Sequence, residues 1–313
     1  MIAFIVKRVL SGVGLLLAIS TIAYFLIFSS STNIALNILG QDATDAQIFA
    51  KQKELGLDQP VFERYLHWLS HAIHGDFGVS WFNSEPVVSA LLNRLPITLT
   101  IVTFAMTFAA IFAITLGTIA AIKGGWIDKS VQVMAIAGFA IPGFLLAIIL
   151  VTFLAIRMKL LPATGWVAFA DDPANWGKSL ILPVTSLVLA TVASAAQQIR
   201  SAIKGVMERD FVRTLTSRGI PRREIIIKHI LRAAAPAGLT VLSLQFVGML
   251  GGSVIIEKIF ALPGMGELAV NATTQGDTPV VMGVVVYTVL IVIVVNLVVD
   301  LLNGWLNPKV RVA

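Results

Sequence analysis

The chain has 313 residues, 57% of them hydrophobic and 13% charged, with a net charge of +6. An ordinary soluble domain carries about 25% charged residues, so this composition excludes a protein that faces water on every side. The absence of cysteine excludes disulfides, thiolate metal sites and thiol nucleophiles.

A membrane-spanning helix needs about 20 consecutive, mostly apolar residues. Six runs qualify, near residues 9–28, 96–121, 131–156, 180–199, 237–256 and 279–299. Backbone amides in lipid must be satisfied within the segment, and the runs lack the alternation of barrel strands, so each should be a helix. The expected fold class is an all-α membrane protein with six transmembrane helices.

In chain order, residues 1–30 form the first helix. Lys7 and Arg8 precede its apolar run, but a run of about 20 residues without a small-residue cleavage site reads as a retained helix, not a signal peptide. Residues 31–95 form an extracytoplasmic segment with short helices, since Phe62, Tyr65, Leu66 and Leu69 recur at helical spacing. Residues 96–303 form a five-helix core, and 304–313 a tail. Within the core, the loop 200–236 is interrupted at Gly219, Ile220 and Pro221. Glycine is favoured just past a helix end and proline at the next start, which predicts two short helices and a corner. After the fifth run, Pro263, Gly264 and Gly266 predict a turn.

Lysine and arginine collect on the cytoplasmic side of membrane proteins. The N-terminus, residues 122–130, the loop 200–236 and the C-terminus together hold fifteen of them, against eight in the other connections. Both termini are therefore expected in the cytoplasm. Membrane topology accounts for the basic excess, anionic lipid is its expected neighbour, and no nucleic-acid partner is implied.

None of the six runs has an ionisable residue in its middle; Arg157 and Asp300 sit at run ends. Ion-coupled transporters place such groups inside the membrane, so the energy for transport should come from elsewhere. An ion-coupled transporter or channel, an intramembrane enzyme and a passive scaffold are the competing classes. Gly177, Lys178 and Ser179 imitate the end of a phosphate loop, but Asp172 occupies the position of its first glycine and no strand precedes it. His67, His71 and His74 share a helical face, a weak pattern that an amphipathic surface helix also explains. Gly248 and Gly252 permit close helix packing.

The stretch from Asp210 to Glu224 interleaves apolar and basic residues around the helix break, a pattern suited to a knob that docks on another protein. It resembles the signature of binding-protein-dependent ABC importer permeases of the dipeptide, oligopeptide and nickel branch: Asp210, an aromatic, an aliphatic, Arg213, Thr214, and Gly219 at the end. Leu215 and Ser217 stand where that branch has alanines, and Arg218 where it has lysine. Leu55 to Pro60, Tyr65, Trp68 and the run Gly75 to Ser80 are similar to the outer segment of its B-type subunit. So is the later pattern Glu257, Phe260, Pro263, Gly264, Met265, Gly266 and Leu268.

The resemblance implies a type I importer permease core and several partners: a second homologous permease, two ATP-binding subunits and an extracytoplasmic substrate-binding protein. It assigns Asp210, Arg213, Thr214, Arg218, Gly219, Ile220 and Pro221 to coupling with the ATPase. Glu257, Phe260, Pro263, Gly264 and Gly266 become the outer gate or the binding-protein contact. It implies no catalytic residue, metal or cofactor in this chain, and short peptides as cargo, with nickel chelates or glutathione as alternatives.

Overall fold

The computed structural model describes residues 2–30 and 34–306; the expected tail lies outside the described residues from 307 onward. Described residues are helical apart from turns and one isolated bridge between Val79 and Pro86. Five helices are long and apolar enough to cross a membrane, and one bent pair makes a possible sixth span.

The chain divides into two compact units. One contains Ile2–Ile97 and Pro263–Val294. Here α1 (Ile2–Ser30) is followed by the short helices α2 (Ile34–Leu39), α3 (Asp45–Glu54) and α4 (Val61–Ala72). A capping box starts α3: Thr44 Oγ1 accepts from the Gln47 amide at 3.4 Å, and Gln47 Oε1 accepts from the Thr44 amide at 2.9 Å. The helical spacing in α4 was legible, but its buried face is Arg64 and Tyr65, while Phe62 and Leu66 are exposed. Tyr65 packs beside Tyr24 and Trp68 at ring separations of 5.3 and 6.1 Å, and its hydroxyl meets Thr21 Oγ1 at 2.7 Å. The unit closes with α12 (Met265–Gln275) and the first part of α13 (Thr278–Leu306). A Cβ on Gly283 would lie 2.5 Å from Val87 Cγ1, so α13 approaches the start of α5 (Val87–Lys123) as closely as glycine permits.

The second unit contains Thr98–Leu262 and the chain from Val295. At its centre is α8 (Pro173–Met207), the most buried of the long helices. Asp172 caps it, accepting from the amides of Ala174 and Asn175 at 3.0 and 3.1 Å, with Pro173 in the first turn. Gly177, Lys178 and Ser179 thus belong to the start of a helix. Three glycines face its alanines: Gly117 of α5 against Ala196, Gly138 of α6 (Gly125–Ala140) against Ala193, and Gly143 of α7 (Gly143–Leu150) against Ala190. Lipid offers no hydrophobic drive for helices to associate, so small residues gain contact by letting backbones approach.

Two expectations are corrected. The third run is not one continuous helix: α6 and α7 break at Ile141 and Pro142, and α7 then continues as a π-helical turn, Val151–Arg157. Pro142 has no amide hydrogen and forces Ile141 into extended backbone, φ −99° and ψ 115°. The loop 200–236 is also much shorter than expected, because α8 continues to Met207 and the next long helix begins at Arg222. Only α9 (Asp210–Ser217) is a separate short helix. The expected second one, α10 (Arg222–Glu224), runs through a π-helical turn, Ile225–Ile230, directly into α11 (Leu231–Ile259).

Candidate functional site

Asp210, Arg213, Thr214, Arg218, Gly219, Ile220 and Pro221 all fall on α9 and the corner behind it. Eight residues long, α9 buries none of them. Its end is a Schellman motif: the Gly219 amide donates to the Thr216 carbonyl at 3.0 Å and the Ile220 amide to the Leu215 carbonyl at 3.3 Å. Gly219 has φ +74°, a conformation that costs an L-residue about 1–2 kcal/mol. Pro221 then stands just before α10. Arg222 donates to the Ile122 carbonyl at 3.4 Å, tying the corner to the end of α5.

One ionic cluster was missed from the sequence. Asp128, in the first turn of α6, accepts from Arg200 Nε and Nη2 and, at 2.6 Å, from Lys204 Nζ, both on α8. Arg200 and Lys204 are four residues apart and share a helix face. Their spacing was the available signal, hidden because both were assigned to the loop. A single carboxylate thus holds two cations and joins the start of α6 to the end of α8.

The outer set divides. Glu257 lies inside α11 and is 0% exposed, with Thr98 donating to it at 2.6 Å. Phe260 is 2% exposed, and its carbonyl accepts from the Gly165 amide at 2.8 Å, which ties the α7–α8 connection to the end of α11. In the other unit Pro263 is exposed, Gly264 and Gly266 are buried, and Gly266 is helical, so the expected turn ends at Met265. The run Gly75 to Ser80 makes a tight structure of its own: Gly75 and Gly78 have positive φ, Asp76 accepts from the Gly78 amide at 2.8 Å and Phe77 is buried. Asp277 accepts from the Ser80 hydroxyl at 2.5 Å and from the Trp81 amide at 3.2 Å. Burial pushes the Asp277 carboxyl above the usual range, against the lowering effect of those bonds.

A cavity of about 320 Å³ opens between α7, α8 and α11. Its polar lining is neutral: Ser186, Thr191 and Gln245, beside Gly143, Gly248 and Gly252. Gln245 donates to Ser194 Oγ at 3.0 Å, while Ser186 and Thr191 donate to carbonyls of their own helix at 2.8 Å. Among the described residues no cluster of histidine and acidic side chains could hold a metal; His71 Nδ1 instead lies 2.9 Å from the His67 carbonyl.

Comparison with known proteins places these features in a family. The model of the Binding-protein-dependent transport system inner membrane component matches residues 113–312. The chain belongs to this family. The corresponding N-terminal model, Binding-prot-dependent transport system membrane comp, N-term, matches residues 1–102. The permease is 35% identical over 312 residues, 99% of each chain, to a protein of Brucella abortus (strain 2308) provisionally named a peptide transport system permease. It is 32% identical, with the same coverage, to the glutathione transport system permease protein GsiC of Escherichia coli (strain K12). Its fold resembles a chain of the MetNI methionine ABC transporter in an inward-facing conformation, with a TM-score of 0.54, 16% identity and coverage of 72% of the permease and 99% of that chain. The permease is thus a multi-pass membrane component of an ABC importer and not itself an enzyme: ATP hydrolysis belongs to separate subunits and substrate capture to a binding protein.

Proposed function

We propose that the permease forms, with a second homologous permease, the path for short peptides, and that α9 and its corner receive the stroke of the ATPase. The carrying observation is the helix that starts at the corner. It runs without interruption from Arg222 to Ile259 and contributes Gln245, Gly248 and Gly252 to the cavity. Movement of the corner therefore tilts the cavity wall directly. Alternating access follows when ATP closes the ATPase pair and product release reopens it.

The neutral lining supports peptide cargo, because hydroxyl and amide groups offer hydrogen bonds to passing backbone without holding a charge. The names of the relatives support it too, and glutathione, itself a small peptide, is the second reading. The basic asymmetry supports cytoplasmic termini and a cytoplasmic α9, with the outer segment facing the binding protein. The buried Glu257, Phe260, Gly264 and Gly266 act in this reading by holding the outer turns in place, with Pro263 left for direct contact.

The test is uptake by proteoliposomes containing the permease, its partner permease, both ATPase subunits and the binding protein. Labelled dipeptide should accumulate only with internal ATP, and unlabelled peptide should compete. Uptake driven by a proton gradient without ATP overturns the mechanism. ATP-driven uptake of nickel chelate that peptide does not inhibit overturns the cargo.

A further inference from the structure

A second cavity, of about 780 Å³, lies beside α9 and is unrelated to the neutral one. It is lined by Arg209, Lys228, His229 and Arg232 together with apolar groups that include Phe211 and Leu306. No acidic residue lines it. The carboxylates nearest in sequence do not pair with its arginines: Glu208 and Asp210 flank Arg209, Asp210 lies 3.9 Å from Arg213, and Glu224 is engaged by Lys228 at 2.8 Å. Among the described residues no carboxylate lies within 4 Å of Arg209 or Arg232. The cavity therefore gathers two guanidinium groups, Arg209 and Arg232, that make no ion pair with a described carboxylate.

Its position relative to the membrane narrows the chemistry of the occupant. The apolar run of α11 begins at residue 237, next to the lining residue Pro236. Arg232 precedes that run by about 7.5 Å along the axis, at 1.5 Å per residue. The polar layer outside the hydrocarbon is about 5–7.5 Å deep on each face, so Arg232 falls at its outer edge, within reach of headgroups for a long side chain. The apolar wall, with Ala233, Pro236 and Leu306, lies at span ends, where an acyl chain would start. A soluble protein docking on α9 would not need this combination.

We propose that the cavity binds the phosphate headgroup of an anionic phospholipid, with Arg209 and Arg232 holding the phosphate and the wall by Pro236 and Leu306 receiving the start of an acyl chain. Guanidinium groups suit the phosphate because they offer paired N–H donors. The lipid would brace the base of α9, since Arg209 is its N-cap residue and Phe211 lies in its first turn. This site is independent of the transported cargo.

The experiment titrates short-chain phosphatidylglycerol, phosphatidylcholine or inorganic phosphate onto the purified, delipidated importer and counts bound molecules by native mass spectrometry. Wild type should prefer phosphatidylglycerol. With about 1 kcal/mol per basic residue at a lipid surface, Arg209→Gln and Arg232→Gln should each weaken it about fivefold, and together roughly 30-fold, while Arg223→Gln changes little. Unchanged affinity in the double variant, or equal binding of phosphatidylcholine by wild type, overturns the site. Displacement of the lipid by millimolar inorganic phosphate reassigns it to free phosphate and overturns the lipid source. Loss of the ATPase subunits from the double variant with lipid affinity intact assigns the arginines to the protein interface and equally overturns it.

Discussion

Replacing Gly219 probes the proposed coupling role most directly, because a Cβ there would meet nothing within 4 Å. Size is therefore not the obstacle, and the cost comes from the backbone at φ +74°. An alanine in that region costs about 1–2 kcal/mol, a β-branched valine more, and asparagine less because it tolerates the left-handed conformation. If the residue instead leaves that conformation, both bonds of the Schellman motif are lost. Little opposes this, since α9 has eight residues and buries none, well below the 12–15 at which isolated helices become stable. A penalty of about 1–2 kcal/mol lowers the ratio of formed to unformed corner roughly 5- to 30-fold. Gly219→Asn, Gly219→Ala and Gly219→Val should therefore lose coupling in that order. The assay measures ATP hydrolysis stimulated by loaded binding protein, and uptake, in the same proteoliposomes. Near-normal stimulation in Gly219→Val, or equal damage from asparagine and valine, would refute the reasoning.

Three further outcomes are expected. Asp128→Ala strands two cations and should cost about 3 kcal/mol, whereas Arg200→Gln leaves Asp128 paired with Lys204 and should cost clearly less; equal losses in thermal unfolding would contradict the shared-carboxylate geometry. Gly117→Val should prevent close packing of α5 on α8, because its Cβ would lie 2.7 Å from the Ala196 carbonyl oxygen, costing about 1–3 kcal/mol or more. Gly14→Val, with nothing within 4 Å, is the control that should accumulate normally. For Asp277 the folded pKa is raised, so its favourable contribution is complete below about pH 4, the ordinary carboxylate value, and is lost as pH rises through the folded value. Wild type should therefore gain on Asp277→Asn as the pH falls, and parallel stability profiles would refute the assignment.

The residues alone determined that the chain crosses the membrane, because about 20 apolar residues in a row have no other stable solution. They also located the corner at Gly219 and Pro221, since both residues act through their own backbone geometry. The π-helical continuation into α11 was not legible, because a loop and a helix extension have the same polar composition at a span end. Nor was the face that α4 buries, where Phe62 and Leu66 are exposed while Arg64 is buried: hydrophobicity ranks side chains, but packing against Tyr24 chooses among them. Only the tertiary structure brought Asp128 to Arg200 and Lys204, and Ser80 to Asp277, over separations of 72, 76 and 197 residues. Such pairs are set by where helices cross, and the crossing on α8 depends on glycines whose partners are distant in the chain. Close approach of backbones, which no local pattern records, decided the site's geometry.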